Sequence, residues 1–133
     1  MSKVEMINML NTYLKTNVAP VLIKSFPADI FIDESVNIPA DCDVLELNGH
    51  YEGVDFLPPV WYQTVLSKAS ARRNILLIEN ISSLSKDEQM KFYELLKYRK
   101  IGVFELPQNC IIVLTAQEGN QIAEDIYSLV VSV

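Results

Sequence analysis

Acidic side chains that follow a short apolar segment are the first candidates for chemistry in this sequence. Asp33 and Glu34 come directly after the apolar segment 30–32, and Asp41 and Asp43 follow a few residues further on. Carboxylates at strand ends hold Mg²⁺ or Mn²⁺ in enzymes that cleave phosphate esters. One interpretation is therefore a divalent-metal-dependent phosphoesterase or nuclease that uses these four residues. The other is that they are solvated acids in loops.

Nucleophilic catalysis has little support in the residue types. His50 is the only histidine, it lies in a loop between two glycines, and the chain has no Gly-x-Ser-x-Gly motif. A triad needs a histidine beside a nucleophile and an orienting acid, so we predict that His50 is a surface residue. Cys42 and Cys110 are too few for a disulfide framework or a four-ligand zinc site, and we predict that they are buried thiols.

The net charge of −6 is distributed unevenly along the chain. Residues 58–100 carry eight basic and four acidic side chains, whereas residues 101–133 carry four acidic side chains and no basic one. An acidic total argues against general nucleic-acid binding, because phosphate contacts supply most of that affinity. No signal peptide is recognisable, and no apolar run has the ~18–20 residues that a membrane span needs. These features predict a cytoplasmic protein that binds neither nucleic acid nor membrane.

Two continuous apolar runs predict the centre of the fold. Residues 75–78 and 111–114 are apolar throughout, which is typical of strands that are buried on both faces of a parallel sheet. We therefore expect Leu77 and Val113 to be buried on adjacent central strands.

Strands and helices are predicted to alternate along a single domain that spans residues 1–133. A capping box, Ser85-x-x-Glu88, starts a helix in the second half of the chain. The other predicted strands are 21–23, 30–32, 44–47, 103–106 and 129–133, and the predicted helices are 4–14, 59–71, 85–98 and 119–127. This order predicts an α/β fold with a mostly parallel central sheet and helices on both faces.

The segment from Asn74 to Gln117 resembles the core of the MoxR-type AAA+ ATPases. In that family an apolar strand ends in two carboxylates, a helix with Gln and a Leu-Leu pair follows, and an Arg, a hairpin ending in Leu-Pro and a sensor strand come next. The same order and spacing are kept here at Gln89, Phe92, Tyr93, Arg99, Leu106, Pro107 and Gln117. Gly49 and the turn 58–61 extend the resemblance to residues 44–133, and it implies a P-loop NTPase fold of the AAA+ type.

The phosphate-binding loop of that family has no counterpart in this sequence. Such a loop needs glycines, whose N–H groups close around the phosphates, and a lysine that reaches them. None of the four glycines precedes Lys-Ser or Lys-Thr, and the segment 24–27 after the first predicted strand reads Lys-Ser-Phe-Pro. The resemblance therefore implies a core that lacks its nucleotide cradle.

The residues that the family uses for hydrolysis are also altered. Glu79 stands where the family has a magnesium-associated Asp, and Asn80 stands where it has the Glu that orients the attacking water. An amide cannot act as a base for water. Thr115, Gln117 and Glu118 stand at the sensor strand, where Glu118 would repel a γ-phosphate. The resemblance thus implies a vestigial nucleotide or magnesium site at these five residues, with neither ATP nor Mg²⁺ as a cofactor.

Two further differences lie near the end of the sequence. Ser128 stands where relatives place an arginine, and it cannot serve as an arginine finger. The helical lid that follows the core in the family has no counterpart in these residues. We therefore expect a shortened AAA+-like core that does not hydrolyse ATP.

The leading functional hypothesis is a catalytically inactive AAA+-like domain that acts as a protein-interaction or regulatory subunit. Because AAA+ modules pack side by side, the resemblance implies an active AAA+ ATPase or a second copy of this chain as the partner. The alternatives are the metal-dependent phosphoesterase, weak residual nucleotide binding at the vestigial site, and a truncated ATPase gene product without a function of its own.

Overall fold

The computed structural model describes Glu5, Asn8 and Thr12 and the ranges 19–24, 35–71, 74–117 and 121–132. The three isolated residues are helical, in agreement with the predicted helix 4–14. The predicted strand 30–32 and the candidate site residues Asp33, Glu34 and Glu118 lie outside the described residues.

Strands and helices alternate along the described ranges. The strands are β1 (Val21–Lys24), β2 (Ser35–Pro39), β3 (His50–Glu52), β4 (Asp55–Leu57), β5 (Asn74–Glu79), β6 (Lys100–Ile101), β7 (Phe104–Glu105), β8 (Cys110–Ala116) and β9 (Val131–Ser132). The helices are α1 (Val44–Asn48), α2 (Val60–Ser67), α3 (Lys86–Gln89), α4 (Tyr93–Tyr98) and α5 (Glu124–Tyr127), and two 3₁₀ turns span Ile81–Ser83 and Met90–Phe92. None of the helices in the described part of the chain has the length and apolar character needed to cross a bilayer.

Five strands form the central sheet in the order β2-β5-β8-β1-β9, and all of their pairings are parallel. Parallel neighbours cannot be joined by tight turns, so longer connections carry the helices between them. Leu77 on β5 pairs with Val113 on β8, and both are at most 1% exposed. The predicted burial of these two residues on adjacent central strands is confirmed, as is the α/β fold with a mostly parallel sheet.

Both faces of the central sheet are buried. On one face, Leu22, Leu76 and Leu114 belong to a core that also contains Trp61 of α2 and Leu95 of α4. The buried side chains of the other face are Val21, Ile23, Ile75, Leu77, Ile111 and Val113. Successive side chains of a strand point to opposite faces, so burial on both sides explains why β5 and β8 are apolar at nearly every position.

The predicted strand at residues 44–47 is wrong, because these residues form helix α1. Asp43 caps the helix: its Oδ1 accepts a hydrogen bond from the Glu46 N–H at 2.8 Å. A cap of this kind satisfies an N–H group that would otherwise lack a partner, and it favours the helix over an extended chain. Leu47 is buried while Leu45 is exposed. The strand at this edge of the sheet is instead β2, which the sequence pattern did not predict.

The predicted strand 103–106 is confirmed in part as the shorter strand β7, which forms a hairpin with β6. β6 and β7 pair antiparallel around the turn Gly102-Val103, and β3 and β4 pair in the same way around Gly53-Val54. The glycines have φ of 58° and 63°, and the valines lack positive φ. Glycine at the first position of a two-residue turn is typical of type II′ hairpins. The rings of Phe56 and Phe104 stack with centroids 5.4 Å apart, so the two hairpins lie side by side.

The predicted capping box is confirmed. Ser85 Oγ accepts a hydrogen bond from the Glu88 N–H at 3.2 Å, and Glu88 Oε1 accepts one from the Ser85 N–H at 3.4 Å. The helix that it starts is less regular than predicted, because the second 3₁₀ turn separates α3 from α4. The other elements are shorter than predicted: α2 covers part of 59–71, α5 part of 119–127, and β9 part of 129–133.

Candidate functional site

The carboxyl ends of β1, β5 and β8 lie at one edge of the central sheet. From β1 the chain crosses to the far strand β2, returns through β5 and β8, and then passes β1 to reach β9. The connections that leave β1 and β8 therefore run in opposite directions across the sheet. Open α/β sheets bind ligands at such a reversal, beyond the carboxyl ends of the strands. Glu79, Asn80, Thr115 and Gln117 lie at this edge and define the candidate site.

Hydrogen bonds join the ends of β5 and β8 across the candidate site. The Asn80 N–H donates to Thr115 Oγ1 at 2.9 Å, and the Ser82 hydroxyl donates to Asn80 Oδ1 at 3.2 Å. Ser82 Oγ also accepts the Gln117 N–H at 2.9 Å. Asn80 has φ 59° and ψ 51°, the left-handed conformation that asparagine tolerates better than most residues. These bonds fix the loop after β5 against the end of β8, and they occupy the hydroxyl groups of Thr115 and Ser82.

Glu79 is the last residue of β5, and its side chain is half-buried. Its backbone carbonyl accepts the Ala40 N–H at 3.0 Å, which joins β5 to the end of β2. The serines that follow have other partners, since Ser82 bonds to Asn80 and Ser85 bonds to Glu88. The Glu79 carboxylate therefore has no hydrogen-bond donor among the described residues of this edge.

Replacing Glu79 with glutamine is expected to change stability little. The substitution keeps the shape and removes a charge that no described partner neutralises, so the free energy of unfolding should fall by less than ~1.5 kcal/mol. Urea denaturation with and without Mg²⁺ measures this change. A magnesium-dependent stabilisation that is present in the wild type and absent in Glu79→Gln would show instead that Glu79 binds the ion.

Lys24 ends β1 and contacts α5. Its Nζ donates a hydrogen bond to the Tyr127 hydroxyl at 3.2 Å and lies 4.7 Å from the centroid of the Tyr127 ring. The hydrogen bond from Lys24 lowers the pKa of the Tyr127 phenol. The cation at the end of β1 is therefore directed towards α5.

The acidic residues proposed as metal ligands are only partly described. Asp33 and Glu34 lie outside the described residues, and Asp41 is exposed beside the start of α1. Asp43 already accepts the Glu46 N–H as the cap of α1. Across the described ranges, no three His, Cys, Asp or Glu side chains come close enough together to hold a metal ion. The structure therefore gives Asp43 a structural role and does not bring Asp41 into such a group.

The histidine and the cysteines lie apart from the candidate site. His50 is on the surface strand β3, and its Nε2 lies 3.6 Å from Glu52 Oε1. Cys42 and Cys110 are buried and reduced. Burial raises the pKa of the Cys110 thiol to about 12 and also raises the pKa of Cys42. Because the thiolate is the nucleophilic form, neither side chain is prepared for nucleophilic attack near neutral pH.

Gln89 connects helix α3 to the segment that precedes α5. Its side chain is fully buried, Nε2 donates to the carbonyls of Leu84 and Gln121 at 3.1 Å each, and Oε1 accepts the Ala123 N–H at 2.7 Å. All three partners are backbone groups, which otherwise would be buried without hydrogen bonds. Gln89 thus positions the chain beside the end of β8.

Ser82 is the site residue that sequence reasoning missed. Its hydroxyl joins Asn80 to Gln117, and thereby the ends of two neighbouring strands. The Asn-x-Ser order at residues 80–82 offered a signal, because asparagine side chains commonly accept hydrogen bonds from groups two residues later. The signal is weak, because nothing in the sequence indicates that the N–H group of Gln117 lies beside the Ser82 hydroxyl.

Solved structures share this fold, and two of them show the following similarity to this chain. A proposed ATPase from Cytophaga hutchinsonii ATCC 33406 has a TM-score of 0.68 and 12% identity, over 98% of this chain and 46% of its own. NtrX from Brucella abortus has a TM-score of 0.52 and 12% identity, over 96% of this chain and 35% of its own. No protein-family model and no curated protein matches the chain.

These similarities define the class of the fold and nothing finer. At 12% identity a structural likeness shows the fold alone, and this chain spans less than half the length of either structure. The fold is therefore α/β and AAA+-like, with a mostly parallel central sheet and helices, as the sequence predicted. Activities belong to sites rather than to folds, so the function of this domain depends on its own residues.

Proposed function

We propose that this chain is a catalytically inactive AAA+-like domain that acts as a protein-interaction or regulatory subunit. The order of motifs from Asn74 to Gln117 supports a relationship to the MoxR family within that class. The domain acts in the cytoplasm and uses neither nucleotide nor metal as a cofactor.

The proposal rests mainly on the amide side chain of Asn80 and its position after β5. Asn80 supplies a neutral amide directly after β5, where the ATPases that the sequence resembles have a glutamate, and an amide cannot accept a proton from the attacking water. Its N–H and its Oδ1 are both engaged, with Thr115 and Ser82. These residues do not fit a magnesium–nucleotide group, because the described part of this edge offers a single carboxylate, Glu79, and a threonine hydroxyl that already accepts a hydrogen bond.

Exposed apolar side chains support a role in protein binding. Val54 and Val103, in the turns of the two adjacent hairpins, are 94% and 85% exposed, and Val60 at the start of α2 is 79% exposed. The two hairpins are adjacent through the stacked rings of Phe56 and Phe104, and exposed apolar side chains on adjacent elements are a feature of interaction surfaces. The partner that we propose is an active AAA+ ATPase or a second copy of this chain, because a domain without catalytic residues still offers the packing surfaces of its fold.

A turnover assay tests the proposal. Phosphate release from Mg-ATP by the purified protein is expected to equal that of an Asn80→Ala variant and that of the buffer alone. The variant is a matched control, because a genuine activity at this edge would have to use the Asn80 amide to position the attacking water. Turnover by the wild type that is lost in Asn80→Ala would contradict the proposal.

A further inference from the structure

A cavity lies beside β2, next to the strand that ends in Glu79. Its volume is about 520 Å³, within the range of roughly 300–1,000 Å³ that is usual for binding pockets. Apolar groups form most of its wall, including Ile38, Pro39, Leu45, Pro59 and Trp61. The Trp61 indole N–H donates to the Leu47 carbonyl at 2.9 Å, so the ring is fixed in position and its polar atom is satisfied.

Strand β2 borders this cavity. Asn37 and Pro39 of β2 are exposed and line it. Pro39 has no N–H group, and its carbonyl already accepts the Cys42 N–H at 3.1 Å, so this end of β2 is not prepared to pair with an added strand. The cavity beside it can instead receive a large side chain of a partner.

The rim of the cavity is acidic. Asp43 and Glu46 line it and Asp41 lies next to it, and all three are exposed. Among the described lining residues there is no lysine or arginine. Lys91 of the neighbouring 3₁₀ turn donates a hydrogen bond from its Nζ to the carbonyl of Cys42, a lining residue, at 2.5 Å. A partner with basic side chains is favoured at this rim, because opposite charges steer association and like charges oppose it.

We propose that the cavity forms a docking site for a short segment of a partner protein, with a large apolar side chain between basic ones. The apolar side chain enters the cavity beside Trp61, and the basic side chains face Asp43 and Glu46. This inference rests on the proposed function in one respect, that the partner is a protein. It goes further by naming the surface and the chemistry of the partner.

Trp61 makes the docking site directly measurable, because it is the only tryptophan in the chain. The probes are short tryptophan-free synthetic peptides in which lysine and valine flank a central phenylalanine, leucine or methionine. Titration with these peptides is expected to shift the emission of Trp61 and to saturate. Peptides with glutamate in place of lysine, or alanine in place of the central residue, are expected to bind at least roughly tenfold more weakly.

Charge reversal at the rim provides the matched comparison. Glu46→Lys is expected to weaken binding of the basic peptides roughly tenfold, whereas Glu124→Lys makes the same change in net charge on α5 and is expected to leave binding unchanged. Leu45→Ser removes an apolar wall residue that is 64% exposed, so it should reduce binding while the protein stays folded.

Three outcomes would overturn the docking site. The first is that Trp61 emission is unchanged with every basic peptide, and the second is that basic and acidic peptides bind equally. The third is a shift in Trp61 emission that depends on protein concentration alone, because it would show that a second copy of the chain occupies the cavity. Phosphate release from Mg-ATP is measured on the same samples. Failed peptide binding without turnover contradicts only the docking site, and turnover contradicts the proposed function itself.

Discussion

Replacing Leu77 with alanine is expected to lower the free energy of unfolding by about 2–5 kcal/mol, the usual cost of removing a large buried aliphatic side chain. Leu77 is fully buried on β5, and it pairs with Asn37 of β2 on one side and with Val113 of β8 on the other. The cavity left by the substitution lies in the middle of the sheet, where neighbouring strands cannot move to fill it. The loss is a large part of the ~5–15 kcal/mol that stabilises a typical domain.

Leu66→Ala is the matched control for Leu77→Ala. Leu66 is the same residue type, but it is 51% exposed on α2, so its replacement should change stability by less than about 0.5 kcal/mol. Urea denaturation followed by circular dichroism compares the two variants with the wild type. Equal midpoints for all three proteins would show that Leu77 is not in the core, and the parallel-sheet arrangement would be wrong at its centre.

Replacing Gln89 with methionine is expected to lower the free energy of unfolding by about 3 kcal/mol, because each buried polar group that loses its partner costs roughly 1–3 kcal/mol. Methionine keeps the unbranched shape of glutamine but cannot donate to the carbonyls of Leu84 and Gln121 or accept the Ala123 N–H. The effect should be local first. The amide proton of Ala123 is expected to exchange with solvent faster in the variant than in the wild type.

Gln63→Met supplies the comparison for Gln89. Gln63 is exposed on α2. Among the described residues, its side chain makes one long hydrogen bond, 3.4 Å from Nε2 to the Pro58 carbonyl. Its replacement should leave both the urea midpoint and the exchange of the Ala123 amide unchanged. Unaltered exchange of this amide in Gln89→Met would mean that Gln89 does not hold the segment before α5.

The centre of the sheet could be predicted from the sequence because burial on both faces leaves a simple pattern. β5 and β8 are apolar at consecutive positions, and the capping box at Ser85 and Glu88 marks a helix start by chemistry that is local to four residues. In both cases the signal lies within the element itself. Pairing partners then follow from the alternation of strands and helices.

The edge of the sheet was not predictable in the same way. Residues 44–47 have strand-like composition, and the cap at Asp43 outweighs it because the segment is short and exposed on one side. β2 has only two buried positions, Val36 and Ile38, which is too few to separate it from a loop. The hairpin at Gly102 depends on a glycine conformation that a single sequence does not reveal.

Part of the candidate site could be predicted from the residues at the ends of the predicted strands. Asn80 directly follows β5 and Thr115 is the next-to-last residue of β8, and the structure joins them by a direct hydrogen bond. The role of Ser82 and the position of the cavity beside Trp61 depend on how distant segments meet, so neither had a local signal. Asp43 was a candidate metal ligand because it carries a carboxylate. Its position directly before α1 makes it the N-cap of that helix instead.

A calorimetric titration of the wild-type protein with Mg-ATP tests the central claim most directly. The proposed inactive core, whose sequence lacks a phosphate-binding loop and has Asn80 in place of the family's glutamate, is predicted to bind Mg-ATP with a dissociation constant above about 1 mM, or less than ~4 kcal/mol of binding free energy. Glu79→Gln should give the same flat titration. A micromolar constant for the wild type that is lost in Glu79→Gln would contradict the account, because the candidate site would then be a working nucleotide site.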